Sequence, residues 1–110
     1  MQNNEIVVRF RKKLYLKSSE SLPSMSDWAL LKSLIQEYIP AFYDRIVLNK
    51  GMTRQEIQTC MLCRLGFHNG EIAVLLDTTT QRITNVKISS NSKLFGEKKA
   101  SSLKNNLKTL

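Results

Sequence analysis

The sequence has little of what usually staples or catalyses: two cysteines, two prolines, four glycines and one histidine in 110 residues. Cys60 and Cys63 alone offer no disulfide framework. His68 has no nucleophile or orienting carboxylate spaced to serve it, so catalysis is not expected, nor is a metal or cofactor. No apolar run approaches the roughly 18 residues of a membrane span, so no membrane partner is expected. Met1-Gln2-Asn3-Asn4-Glu5 lacks the basic-then-apolar layout of a secretory signal, and the expected setting is a reducing cytosol. Glycine is scarce, and the one Asn-Gly, Asn69-Gly70, is followed by a helical pattern and not by a strand. The expected fold is therefore all-α.

Positive charge is what the chain has in excess: 17 Lys and Arg against 9 Asp and Glu, a formal +8. Residues 1–22 hold five basic and two acidic side chains, residues 23–79 five and six, and residues 80–110 seven and one. A near-neutral middle with a basic C-terminal third suits a scaffold that presents a cationic face to an anionic partner; a solvated lysine-rich tail is the plain alternative.

Ile6, Phe10 and Leu14 recur at a spacing of four and predict a short basic helix over 5–17, with a strand as the alternative that Val7-Val8 and Tyr15-Leu16 leave open. A Ser-rich break from Ser18 to Ser26 contains Pro23, and Ser26 is expected to cap a helix whose apolar stripe is Trp28, Leu31, Leu34, Ile35 and Tyr38. Pro40 opens a further helix through Phe42, Ile46 and Val47, closed by Asn49-Lys50-Gly51. Thr53-Arg54-Gln55-Glu56 is a capping box, and the helix it opens carries Ile57, Cys60, Met61 and Leu65 and stops at Gly66. Ile72, Ala73, Leu75 and Leu76 make a helix of about two turns, broken at Asp77-Thr78-Thr79. Thr79 caps a longer helix through Ile83 and Val86 to Leu94-Phe95, with Gly96 as its stop. The last twelve residues, with Ala100, Leu103, Leu107 and Leu110, are expected to form one amphipathic helix.

A helix, a glycine turn, a two-turn helix, a polar turn and a longer helix is the order of a helix-turn-helix, in which the short helix props the long one so that its polar side projects from the surface. That polar side reads Gln81, Arg82, Thr84, Asn85, Lys87, Ile88, Ser89 and Asn91, with Thr79 and Lys93 at its two ends and no acidic residue among them. Amides, hydroxyls and cations are the groups that meet base edges and phosphates.

Residues 52–96 resemble the C-terminal helix-turn-helix domain of LuxR-type transcriptional regulators. Met52-Thr53-Arg54-Gln55-Glu56 is similar to that family's opening Leu-Thr-x-Arg-Glu, and Leu65 to Ala73 resembles its Gly-x-Ser-Asn-Lys-Glu-Ile-Ala. Thr79 to Leu94 is similar to its recognition helix, with Ile83 where the family has a buried valine. Trp28 and Pro40-Ala41-Phe42 upstream, and Lys93-Leu94-Phe95-Gly96 at the end, look like the output domains of regulators that carry sensor or tetratricopeptide-repeat segments. The resemblance implies a four-helix domain over 51–110, preceded by two or three helices in a linking, docking or dimerising segment over 1–50. It implies sequence-specific binding of double-stranded DNA, with a recognition helix over about 79–95 in the major groove. It further implies a homodimer through Leu103, Leu107 and Leu110, and RNA polymerase or an upstream sensor region as further partners. His68 stands where the family has its capping serine, Gly70 where it has a lysine, and Lys87-Ile88-Ser89 where it has Arg-x-Arg.

Blander readings hold for the remaining residues. Cys60 and Cys63 are expected as a core position and a neighbouring surface position, and His68 as a cap substitute. Trp28, Tyr38, Phe42 and Tyr43 are expected in the core rather than as a base-stacking platform, and Arg9 to Lys17 on a solvated face rather than as an extra phosphate arm. The rival function is a protein-interaction module: the same basic scaffold docking an acidic component of the transcription machinery.

Overall fold

The structure, a computed structural model, describes residues 4–15 and 22–110, and it is all-helical, with no strand among the described residues. In chain order the helices are α1 (Glu5–Lys13), α2 (Met25–Tyr38), α3 (Pro40–Phe42, running on into a π-helical turn at Tyr43–Val47), α4 (Arg54–Arg64), α5 (Asn69–Leu75), α6 (Thr80–Phe95) and α7 (Leu103–Leu107).

α4 is the centre of the molecule. Thr59, Cys60, Met61, Leu62 and Cys63 are five consecutive residues, all buried, so the helix is covered on every side. It packs against α5, α6, α7 and the π-turn. One continuous apolar cluster runs from Ile6, Val7 and Phe10 through Leu31, Ile35 and Phe42 to Leu103 and Leu107, and it does not divide near residue 50. Cys63, expected near the surface, is as deeply placed as Cys60. Burial pushes the Cys60 thiol up to about 12 and raises Cys63 as well, which makes both poor thiolates.

One carboxylate, Asp27, ties α1 to α2. α2 is capped by Ser24, two residues before the expected Ser26, because the partner in its capping box is Asp27: the Asp27 N–H donates to Ser24 Oγ, and the Ser24 N–H donates to Asp27 Oδ2 at 2.9 Å. The same carboxylate receives Arg9 at 3.3 Å and Lys13 at 3.5 Å from α1. Phe10 then meets Trp28 edge-on, with ring centroids 5.0 Å apart. α1 ends at Lys13, four residues short of the expected residue 17: Leu14 and Tyr15 form a turn, and residues 16 and 17 lie outside the described residues. Tyr38, predicted on the apolar stripe of α2, is 55% exposed at the helix end, where Pro40 turns the chain away.

The C-terminal part differs more from expectation. The helix predicted over the last twelve residues is only Leu103–Leu107: Gly96 ends α6 at φ +73°, and residues 97–102 are non-helical before α7 packs on α4 and α6. Leu103 and Leu107, expected to face a second copy, are fully buried against α4 and α6 of their own chain, and Leu110 packs half-buried beside them. A five-residue helix has too little surface to fill its own core and also present a leucine face outward. Leu107→Ala should therefore lower stability by about 2–5 kcal/mol. Urea unfolding followed at two protein concentrations should give the same loss at both; a loss that appears only at the higher concentration would return Leu107 to an interface.

Candidate nucleic-acid interface

Two turns set the direction of α6. At the end of α4 the chain reverses at Gly66, whose φ of +91° a side chain would strain, and the Phe67 N–H returns to the Leu62 carbonyl at 3.0 Å. His68 stands at the N-cap of α5, where its backbone N–H donates to Glu71 Oε1 at 2.8 Å. Ile72, Ala73 and Leu75 bury one side of this two-turn helix, which packs on α6. The second turn passes through Asp77 in the left-handed region at φ +53°, and Thr79 then caps α6 by accepting the Arg82 N–H at 3.1 Å.

α6 is sixteen residues long and is held from the inside by Ile83, Val86, Ser90, Asn91 and Leu94. Opposite that stripe, at helical spacing, stand Gln81, Asn85, Ile88 and Ser92. Gln81 donates to Asn85 Oδ1 at 3.3 Å, so the two amides lie on one exposed face. Thr84 borders the face on the α5 side, where Asn69 donates to its hydroxyl at 3.3 Å. Arg82 borders it on the α4 side and donates through Nε to Gln55 Oε1 at 2.9 Å, leaving the rest of its exposed guanidinium outward.

Between α4 and α6 lies a shallow groove floored by Glu56, a carboxylate only 3% exposed. Lys93 donates to its Oε1 at 2.7 Å, the Thr53 N–H to the same oxygen at 2.8 Å, and Ser89 Oγ to its Oε2 at 2.7 Å. Burial alone would raise this carboxyl, but the hydrogen bonds from Lys93, Thr53 and Ser89 and the charge of Lys93 outweigh it and hold the group below the usual carboxylate range. Lys93 is fixed a second time by the Gly51 carbonyl at 3.1 Å.

The ten residues expected to meet DNA therefore separate into three groups. Thr79, Gln81, Arg82, Thr84, Asn85 and Ile88 share the outward surface of α6 or its borders. Ser89 and Lys93 are turned onto Glu56, so their polar atoms are already engaged. Lys87 and Asn91 lie on the inner side. Lys87 is half-buried and close enough to Cys63 for its charge to act on the thiol. Asn91 is 0% exposed: its amide donates to the Lys99 carbonyl at 2.8 Å and to Ser102 Oγ at 2.9 Å, and it accepts from Asn106 at 3.0 Å. Asn91 is thus corrected from a surface contact to a bond between α6 and α7. The expected list covered nearly the whole circumference of the helix, and burial selects part of it. Ser92 and Gln55 were missed, although the spacing from Gln81 through Asn85 and Ile88 already pointed to Ser92.

A comparison of the chain with protein-family models, with curated proteins and with solved structures finds no match in any of the three.

Glu56→Gln keeps the shape of the groove floor but removes the charge, and should cost about 1–3 kcal/mol at neutral pH. Because the folded pKa is depressed, this contribution is complete above the unfolded value of about 4.3 and is lost as pH falls through the folded value. Melting curves of parent and variant should therefore differ at pH 7 and converge toward pH 3; an equal gap at both would overturn this role for the charge. The raised thiols give a second test. Cys60 and Cys63 should resist a thiol reagent at pH 8 until the protein unfolds, and rapid labelling of the native chain would contradict their burial.

Proposed function

We propose that α4, α5 and α6 form a helix-turn-helix that places α6 in the major groove of double-stranded DNA, as the LuxR-type resemblance of residues 52–96 implies. The observation that carries this reading is the outward stripe of α6: two exposed amides, Gln81 and Asn85, on a helix supported along its other side by the core, with Arg82 alongside and no acidic side chain on the stripe. Such a face suits base reading, because a side-chain amide can both donate to and accept from a base edge, most fittingly adenine. Arg82 and the exposed Arg54 at the start of α4 supply phosphate contacts. The chain would then act as the DNA-binding output of a transcriptional regulator.

A second reading has one observation in its favour. Lys87 is turned inward and Lys93 is paired with Glu56, so the outward stripe itself has few free cations. A face rich in amides and poor in charge also suits a protein partner in the transcription machinery.

Selection from a randomised duplex pool at two salt concentrations separates the two. Sequence-specific binding predicts an enriched motif that survives the higher salt, and the symmetry of that motif reports whether two copies bind together. Asn85→Ala should then relax base preference at one position by about 1–3 kcal/mol, and Arg82→Ala should weaken all sequences alike and lower the salt slope by about 1. Retention without a motif, vanishing as salt rises, would favour the interaction module.

A further inference from the structure

We propose that the concavity between the C-terminal ends of α4 and α7 is a binding site for a phosphate-class oxyanion. It is lined by Arg11, Arg64, Leu65, Gly66, Lys104 and Lys108, with a volume of about 380 Å³, and no carboxylate lines it among the described residues. Lys104 and Lys108 stand one turn apart, both exposed, on a helix anchored from below by Leu103 and Leu107. Neither makes an ion pair among the described residues, and like charges one turn apart repel. Arg64 closes the site from α4, and its Nε is buried with no hydrogen-bond partner among the described residues. Arg11 forms the remaining wall, held by the Leu65 carbonyl at 3.4 Å and stacked 4.1 Å over the Phe67 ring.

Helix dipoles give the competing account of these cations. Arg11 and Arg64 lie in the last turns of α1 and α4, and Lys108 is the C-cap of α7, so each complements the negative end of a helix. That end carries about half a charge, and less in a helix as short as α7. With Arg11 set aside against Glu71 at 3.9 Å, the ends of α4 and α7 offset about one of the three charges on Arg64, Lys104 and Lys108 and leave a surplus of about two. An oxyanion neutralises the surplus and can accept from several of these donors at once.

The site is separate from the outward stripe of α6. Gln55, which meets Arg82, is at the start of α4, whereas Arg64 is at its end, about 14 Å further along the axis. The proposal therefore does not depend on the function argued above. Two sources of the same chemistry fit the site: a free phosphate compound and a backbone phosphate of nucleic acid.

The test is a titration of the full chain with inorganic pyrophosphate, followed by amide chemical shifts. The largest shifts should fall on Leu65, Gly66, Lys104 and Lys108. The double variant K104Q/K108Q should bind at least about tenfold more weakly with an unchanged melting temperature, whereas K104R/K108R should keep its affinity. If the double variant does not fold, K108Q alone is read in its place. A parallel titration with a 20-base-pair duplex identifies the source. A salt slope reduced by about 2 in K104Q/K108Q assigns the site to a nucleic-acid phosphate. Unchanged duplex binding alongside lost pyrophosphate binding assigns it to a free phosphate compound. Shifts that fall along α6 instead, or a double variant that binds pyrophosphate as well as the parent, overturn the proposal.

Discussion

A carboxylate as buried as Glu56 must be satisfied by its neighbours or lose its charge, and it is satisfied from three directions: the Thr53 backbone, Ser89 and Lys93. The first bond belongs to the start of α4 and the other two to α6. One side chain thus starts the central helix and fixes the long helix against it. The geometry of the outward stripe follows, because Ser89 and Lys93 can reach Glu56 only when Gln81, Asn85 and Ile88 are turned away. A comparable arrangement holds the other end of the chain, where Asp27 both caps α2 and receives Arg9 and Lys13 from α1. At both places a capping residue also makes a tertiary bond, so helix formation and helix packing are coupled in the same group.

The remaining support for α6 comes from its far end. Arg45, in the π-helical turn, donates to the Leu94 carbonyl at 2.8 Å and lies over the Phe95 ring. An orphan carbonyl in the last turn is thereby met by a cation, which suits the negative end of the helix. α6 is bound at its start through Arg82 and Gln55, in its later turns through Ser89 and Lys93 to Glu56, and at its end through Arg45. On the proposed reading, a surface held by such a framework needs little further ordering when it binds.

Most of the helices were legible because their punctuation is local. Thr53 with Glu56, Gly66, Thr79 and Gly96 are signals that a few residues decide, and the structure has a helix boundary at each. The cap of α2 was misplaced by two residues because two serines compete there, and only the capping box with Asp27 distinguishes them. Which polar residues of α6 face outward was not legible from residue type. Lys87 and Asn91 have the chemistry of a nucleic-acid contact, yet their positions lie beside Ile83, Ser90 and Leu94 on the inner side. The concavity at Arg64, Lys104 and Lys108 was hidden for another reason: its cations lie on different helices, and only the fold brings them together.

Asn91 bears on how uniquely the chain is arranged. A helix of five residues held by two leucines on an apolar surface could rotate or slide by a turn at small cost, since apolar contacts are tolerant of register. The buried amide removes that freedom, because its three partners, the Lys99 carbonyl, Ser102 and Asn106, coincide around it in one placement of the C-terminal segment. Any slip would leave polar groups stranded inside the protein. The leucines hold α7 down, and the asparagine determines which α7 it is: one register, one orientation, and so one disposition of the lysines it carries.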